Sequence, residues 1–60
     1  MLTNNQVALI LAEEIRDNEA LRTRLEMTSD SQMSFGEDSN RIWFSNVEGQ
    51  SFDIRAEVAQ

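Results

Sequence analysis

The amino-acid sequence predicts an α+β domain: an N-terminal helix laid on a three-stranded antiparallel β-meander, α-β-β-β in two layers. Three observations carry this expectation. Residues 4–27 contain no Gly or Pro and place apolar side chains at helical spacing. From Met33 onward the apolar period falls to two. Two clusters of turn residues, 36–40 and 46–50, then cut the second half into three short runs. With 60 residues, the chain is expected to form a single small domain spanning 1–60.

The helix is expected over residues 4–27. Thr3 and Gln6 have capping-box spacing, so the Thr3 hydroxyl can accept from the Gln6 N–H while the Gln6 amide reaches back. At about 100° per residue, Val7, Ile10, Leu11, Ile15, Leu21 and Leu25 share one face. Leu9 and Met27 fall on the opposite side. Glu14, Asn18 and Arg22 interrupt the apolar stripe at i,i+4 spacing. One continuous or slightly kinked helix is favoured over a break at Asp17–Asn18, where either residue could cap a second helix. The polar triplet reads either as a solvent-touching edge or as a seam of protein interface, in which Asn18 fixes the register of a helix dimer and Arg22 bridges an acid.

Residues 28–32 read as a linker, because Thr, Ser and Asp side chains compete with the backbone for hydrogen bonds. Strands are expected at about 33–36, 41–46 and 50–57. Gly49 suits the left-handed position of a three-residue hairpin loop closed by Asn46 and Gln50. That register sets Phe44 opposite Phe52, Ile42 opposite Ile54, Trp43 opposite Asp53 and Arg41 opposite Arg55. In the first hairpin it sets Phe35 opposite Ile42 and Met33 opposite Phe44. The inward face is then Met33, Phe35, Ile42, Phe44, Phe52 and Ile54. The strand edges carry no protecting Lys or Pro, which leaves a β-dimer through an edge as an alternative arrangement.

On this register Trp43 points away from the helix, among Arg41, Arg55, Asp53, Ser34 and Ser45. An aromatic beside arginines on an open sheet face is the composition of a protein-contact anchor, so Trp43, Arg41, Arg55 and Asp53 are the leading interface candidates. Two plainer readings stand beside this one: a register slip that puts Trp43 in the core, or Trp43 stacked on Arg55 as a local cation–π pair.

Composition removes most chemistry. The chain holds no Cys and no His, so thiol and imidazole catalysis and the usual structural zinc site are excluded. Gly36 and Gly49 stand alone, without a phosphate-binding loop. Asp30-Ser31-Gln32 and Asp38-Ser39-Asn40 lack the twelve-residue calcium loop. No enzyme activity, cofactor or small-molecule substrate is therefore expected. The longest apolar run, Val7 to Ala12, is too short to span a membrane, and a cytoplasmic location is expected by default.

The formal net charge is −6, from 5 Arg against 11 Asp plus Glu. This disfavours direct nucleic-acid binding, which needs a basic track. It favours a basic protein surface as partner, with Glu13, Asp17, Glu37 and Asp38 as the candidate acidic patch. A domain this small also has a marginal core, so contact with a partner, or a homodimer, is the expected source of added stability. The expected function is a small acidic protein-binding module that modulates or inhibits a larger basic, nucleic-acid-handling protein. This is the composition of a phage or mobile-element accessory protein, by analogy alone. The alternative is a structural or assembly subunit of a larger complex.

Overall fold

A computed structural model describes residues 1–59. Two helices, α1 (Asn4–Asp17) and α2 (Glu19–Arg24), precede three strands, β1 (Met33–Ser34), β2 (Arg41–Ser45) and β3 (Ser51–Arg55). The strands form one antiparallel sheet in the order β1-β2-β3, and the helices pack on one face of it, giving the two-layer α+β architecture.

The capping box forms as its spacing predicts: Gln6 N–H donates to Thr3 Oγ1 at 3.1 Å and Thr3 N–H to Gln6 Oε1 at 2.8 Å. The continuous helix over 4–27 does not form. Asn18 is extended, at φ −96° and ψ 105°, and ends one helix while starting the next. Its backbone N–H donates to Glu14 O at 2.9 Å, and its Oδ1 accepts from Leu21 N–H at 3.0 Å. Asn thus satisfies both helix ends that meet at the joint, which a helical residue at this position could not do.

The second helix is short because Glu26 takes a left-handed φ of 62°. Met27 N–H then donates to Arg22 O at 2.9 Å and Glu26 N–H to Thr23 O at 3.1 Å, the pair of bonds that defines a Schellman cap. The reversal drives Met27 into the core at 6% exposure. Its expected place on the far side of a helical wheel was wrong, since no helix continues that far.

The buried face of α1 also differs from the expected stripe. Ala8, Ala12 and Ile15 are buried, whereas Ile10 and Leu11 are about half exposed. The helix is turned by roughly a quarter turn from the stripe that contains Val7, Ile10 and Leu11. Two alanines in the contact seam bring the α1 backbone close to the sheet, a geometry that bulkier side chains would hold apart.

The register is as predicted where the strands pair: Met33 faces Phe44, Ser34 faces Trp43, Trp43 faces Asp53 and Phe44 faces Phe52. The first strand is shorter than the expected 33–36 and ends at Ser34, so the expected pairing of Phe35 with Ile42 does not form. Gly49 is left-handed at φ 78°, and Asn46 N–H donates to Gln50 O at 3.0 Å. The linker makes the local bonds its composition favours, with Thr28 N–H donating to Ser31 Oγ at 3.0 Å. Val47 N–H donates to Glu26 O at 2.8 Å, and Asn46 Nδ2 to Leu25 O at 3.3 Å, so the β2–β3 loop is tied to the end of α2.

The core consists of Ala8, Ala12, Ile15, Met27, Ile42 and Phe44, flanked by Leu21, Leu25, Met33, Phe35 and Ala56. Phe52 and Ile54, expected to be inward, face the helix layer but remain 40% and 42% exposed. The helix layer packs on the sheet chiefly through α1 against β2 and leaves β3 partly uncovered, so the correct parity did not bring coverage.

Candidate protein-contact site

The open face of the sheet carries a groove of about 400 Å³ lined by Ser34, Phe35, Gly36, Ser39, Arg41, Trp43 and Asp53. Trp43, in the middle of β2, is half-buried and points away from the helices. The register has not slipped, so Trp43 is not part of the core. It does not stack on Arg55 either. Among the described residues the cation–π contact is Arg16 over Phe35, 5.9 Å from the ring centroid.

Arg41 and Asp53 close one side of the groove. They lie diagonally across β2 and β3, and the guanidinium grips the carboxylate with two nitrogens, Nη2 on Oδ2 and Nε on Oδ1 at 3.2 Å. These hydrogen bonds, with the charges of Arg41 and Arg55, hold the Asp53 carboxyl below the usual carboxylate range. Arg55 stands opposite Arg41 in the ladder and has no ion-pair partner among the described residues.

The expected acidic patch is divided. Glu37 and Asp38 are exposed on the β1–β2 turn, between Gly36 and Ser39, both of which line the Trp43 groove. They therefore rim the groove. Glu13 and Asp17 lie on α1, apart from that rim. Asp17 is held by Arg16 through Nε–Oδ1 at 2.7 Å and Nη2–Oδ2 at 2.8 Å, and these bonds keep its carboxyl below the usual range.

Glu14, Asn18 and Arg22 make bonds within the chain. Asn18 Nδ2 donates to Glu14 Oε1 at 2.7 Å. Arg22 Nη2 donates to Thr28 O at 2.6 Å, with Nη1 3.5 Å from Ile15 O, so it ties the end of α1 to the linker. The triplet is the joint between the helices.

A second feature was missed by sequence reasoning. Leu11, Ile15, Leu21, Leu25, Ile42, Phe44 and Ile54, with Glu14 beside them, line a largely apolar cleft of about 210 Å³ between the helices and β3. Phe52 continues the apolar surface and pairs with Phe44, ring centroids 5.3 Å apart. The sequence signal for it was the polar break at Asn18, which predicts helices too short to cover three strands.

Among the described residues no cluster of three or more His, Cys, Asp or Glu could hold a metal ion, and no helix is long and apolar enough to cross a membrane. No protein-family model, curated protein or solved structure matches the chain.

Proposed function

We propose that this chain is a small acidic protein-binding module that docks through the open face of its sheet, with Trp43 as the anchor and the Glu37–Asp38 turn as an acidic rim. The observation that carries this reading is the half-buried Trp43 in a groove beside the Arg41–Asp53 ion pair, on the face that the chain's own helices leave free. An aromatic anchor with a charged rim is the usual anatomy of a protein contact. The net charge of −6 makes a basic surface the natural counterpart, and so supports a modulator or inhibitor of a larger nucleic-acid-handling protein.

The test uses the wild-type chain and Trp43→Ala as immobilised baits in extract of the source cell, with washes of rising salt. Wild type is expected to retain a basic protein that Trp43→Ala loses, and salt is expected to release it. Trp43 is part-buried, so Trp43→Ala is expected to lower the melting temperature, and capture is compared where circular dichroism shows both baits folded. Equal capture by both baits, or retention that ignores salt, refutes the reading.

The apolar cleft favours a second reading, a subunit that docks permanently in a larger assembly. In that case Leu21→Glu abolishes capture while Trp43→Ala does not.

A further inference from the structure

We propose that the free edge of β3 pairs with the same edge of a second copy, building a continuous six-stranded antiparallel sheet with a two-fold axis at Ile54. The hydrogen-bond alternation shows which groups are available. Asn46–Gln50 and Asn40–Ala56 are hydrogen-bonded pairs of the β2–β3 ladder, through Asn46 N–H to Gln50 O and Ala56 N–H to Asn40 O. By alternation, Phe52 and Ile54 also bond inward to β2, and Ser51, Asp53 and Arg55 aim their N–H and C=O groups outward. The other edge, β1, has two residues and cannot offer such a ladder.

Charge selects the register. Outward-pointing residues must pair with one another, so the axis can fall on Phe52, Asp53 or Ile54. An axis at Asp53 sets two carboxylates against each other. An axis at Phe52 leaves Arg55 opposite Gly49. An axis at Ile54 places each Asp53 opposite the second copy's Arg55, the arginine that has no ion-pair partner among the described residues. The same register sets Ile54 against its own counterpart. Because Ile42 already faces Ile54, four isoleucines then run unbroken across the central strands, beneath the helices. Phe52 falls opposite the second copy's Ala56, and the two half-exposed residues of β3 gain neighbours.

The amount of surface agrees. A folded monomer of 6.9 kDa is expected to expose about 4,000 Å², whereas this chain exposes 4589 Å². The excess of roughly 600 Å² lies at the lower end of the ~600–1,000 Å² that each partner of an ordinary protein interface buries. A two-fold axis perpendicular to the sheet keeps both helix layers on one side and both Trp43 grooves on the other. With strands about 4.8 Å apart, the two Trp43 Cα atoms come within roughly 16 Å, so the dimer presents two anchors to one partner surface.

Sedimentation velocity on the purified chain over about 10 µM to 1 mM tests this without any partner, so its outcome is independent of the Trp43 assay. Wild type is expected to shift from monomer to dimer across that range. Arg55→Asp sets acids against acids across the axis, and Asp53→Arg sets arginines against arginines. Each is expected to weaken self-association by about tenfold or more. Their equimolar mixture restores two complementary pairs and is expected to form a heterodimer at least as readily as wild type self-associates. A wild type that stays monomeric at ~1 mM overturns the proposal, as do single variants that dimerise like wild type or a mixture that shows no rescue.

Discussion

Asn18→Ala removes the side chain on which the helical layer turns. The lost bond is the N-cap of α2, Oδ1 to Leu21 N–H at 3.0 Å, and replacing an N-cap Asn by Ala costs about 1 kcal/mol, with a range of ~0.5–2. The exposed Asn18–Glu14 side-chain bond at 2.7 Å adds little, because water replaces it readily. Alanine also favours continuing α1 straight through the joint, and a straight helix carries Leu21, Leu25 and Met27 away from the sheet. Sixty residues at about 2.1 cal/mol/K each give an unfolding entropy near 0.13 kcal/mol/K, so 1 kcal/mol corresponds to roughly 8 °C. The expected drop in melting temperature is about 4–16 °C, read by circular dichroism, with helical signal at room temperature close to wild type. Asn18→Ser keeps an acceptor at the cap and should recover most of the loss. A melting temperature for Asn18→Ala equal to or above wild type would show that the break is imposed by tertiary packing and not by the asparagine.

Ile42, 1% exposed, probes the core: Ile42→Val should cost about 0.5–1.5 kcal/mol and Ile42→Ala about 2–5, against a total stability of roughly 3–9 kcal/mol for this length. Urea titration should therefore show a small fall in midpoint for the first and a several-fold larger fall for the second. Glu26→Gly relieves a left-handed φ of 62°, worth about 1–2 kcal/mol, while adding unfolded-state entropy of about 0.4–1; thermal melts should show a gain of up to ~1 kcal/mol, and a loss would mean that the Glu26 side chain itself contributes. Asp17 and Asp53 are both held below their ordinary range by arginine hydrogen bonds, so their contribution is full above the unfolded carboxyl value of about 3.9 and is lost as pH falls through the lower folded value. The melting-temperature gap between wild type and the double variant Asp17→Asn, Asp53→Asn should accordingly be present at neutral pH and close below about pH 4; a gap that widens in acid would reverse the sign of the linkage.

Local rules made much of this fold legible. The capping box at Thr3, the left-handed Gly49 and the pairing of Phe44 with Phe52 each follow from two or three neighbouring residues, and all appear. The placement of Trp43 on the open face followed from parity alone. Rotation and lateral position were not legible in the same way. A helical wheel ranks Ile10 and Leu11 above Ala8 and Ala12 by hydrophobicity, but the structure buries the alanines, because close approach to the sheet outweighs the extra methylenes. Met27 was misplaced for a different reason. The helix ends at Arg24, and one left-handed residue at Glu26 redirects the chain. At Asn18 the pattern left both outcomes open, and hydrogen-bond satisfaction on both sides of the joint decided between them.

The apolar surface left at β3 follows from that joint. A straight helix over 4–27 would have been about 36 Å long, longer than the sheet is wide at three strands of about 4.8 Å spacing. It would have projected past the sheet instead of covering it. Breaking at Asn18 folds the excess back as α2 and buries Met27 with Ile42 and Phe44, but the compact pair packs chiefly on β2 and leaves Phe52 and Ile54 half-exposed. The same asparagine therefore completes the core and opens the cleft. Asn18→Ala thus bears on association as well as stability. If the joint sets how much of β3 is uncovered, a variant whose α2 no longer folds back exposes more apolar surface, and its self-association should strengthen or become non-specific as its melting temperature falls. Loss of stability with self-association unchanged would separate the two consequences and show that the edge of β3 acts independently of the helices above it.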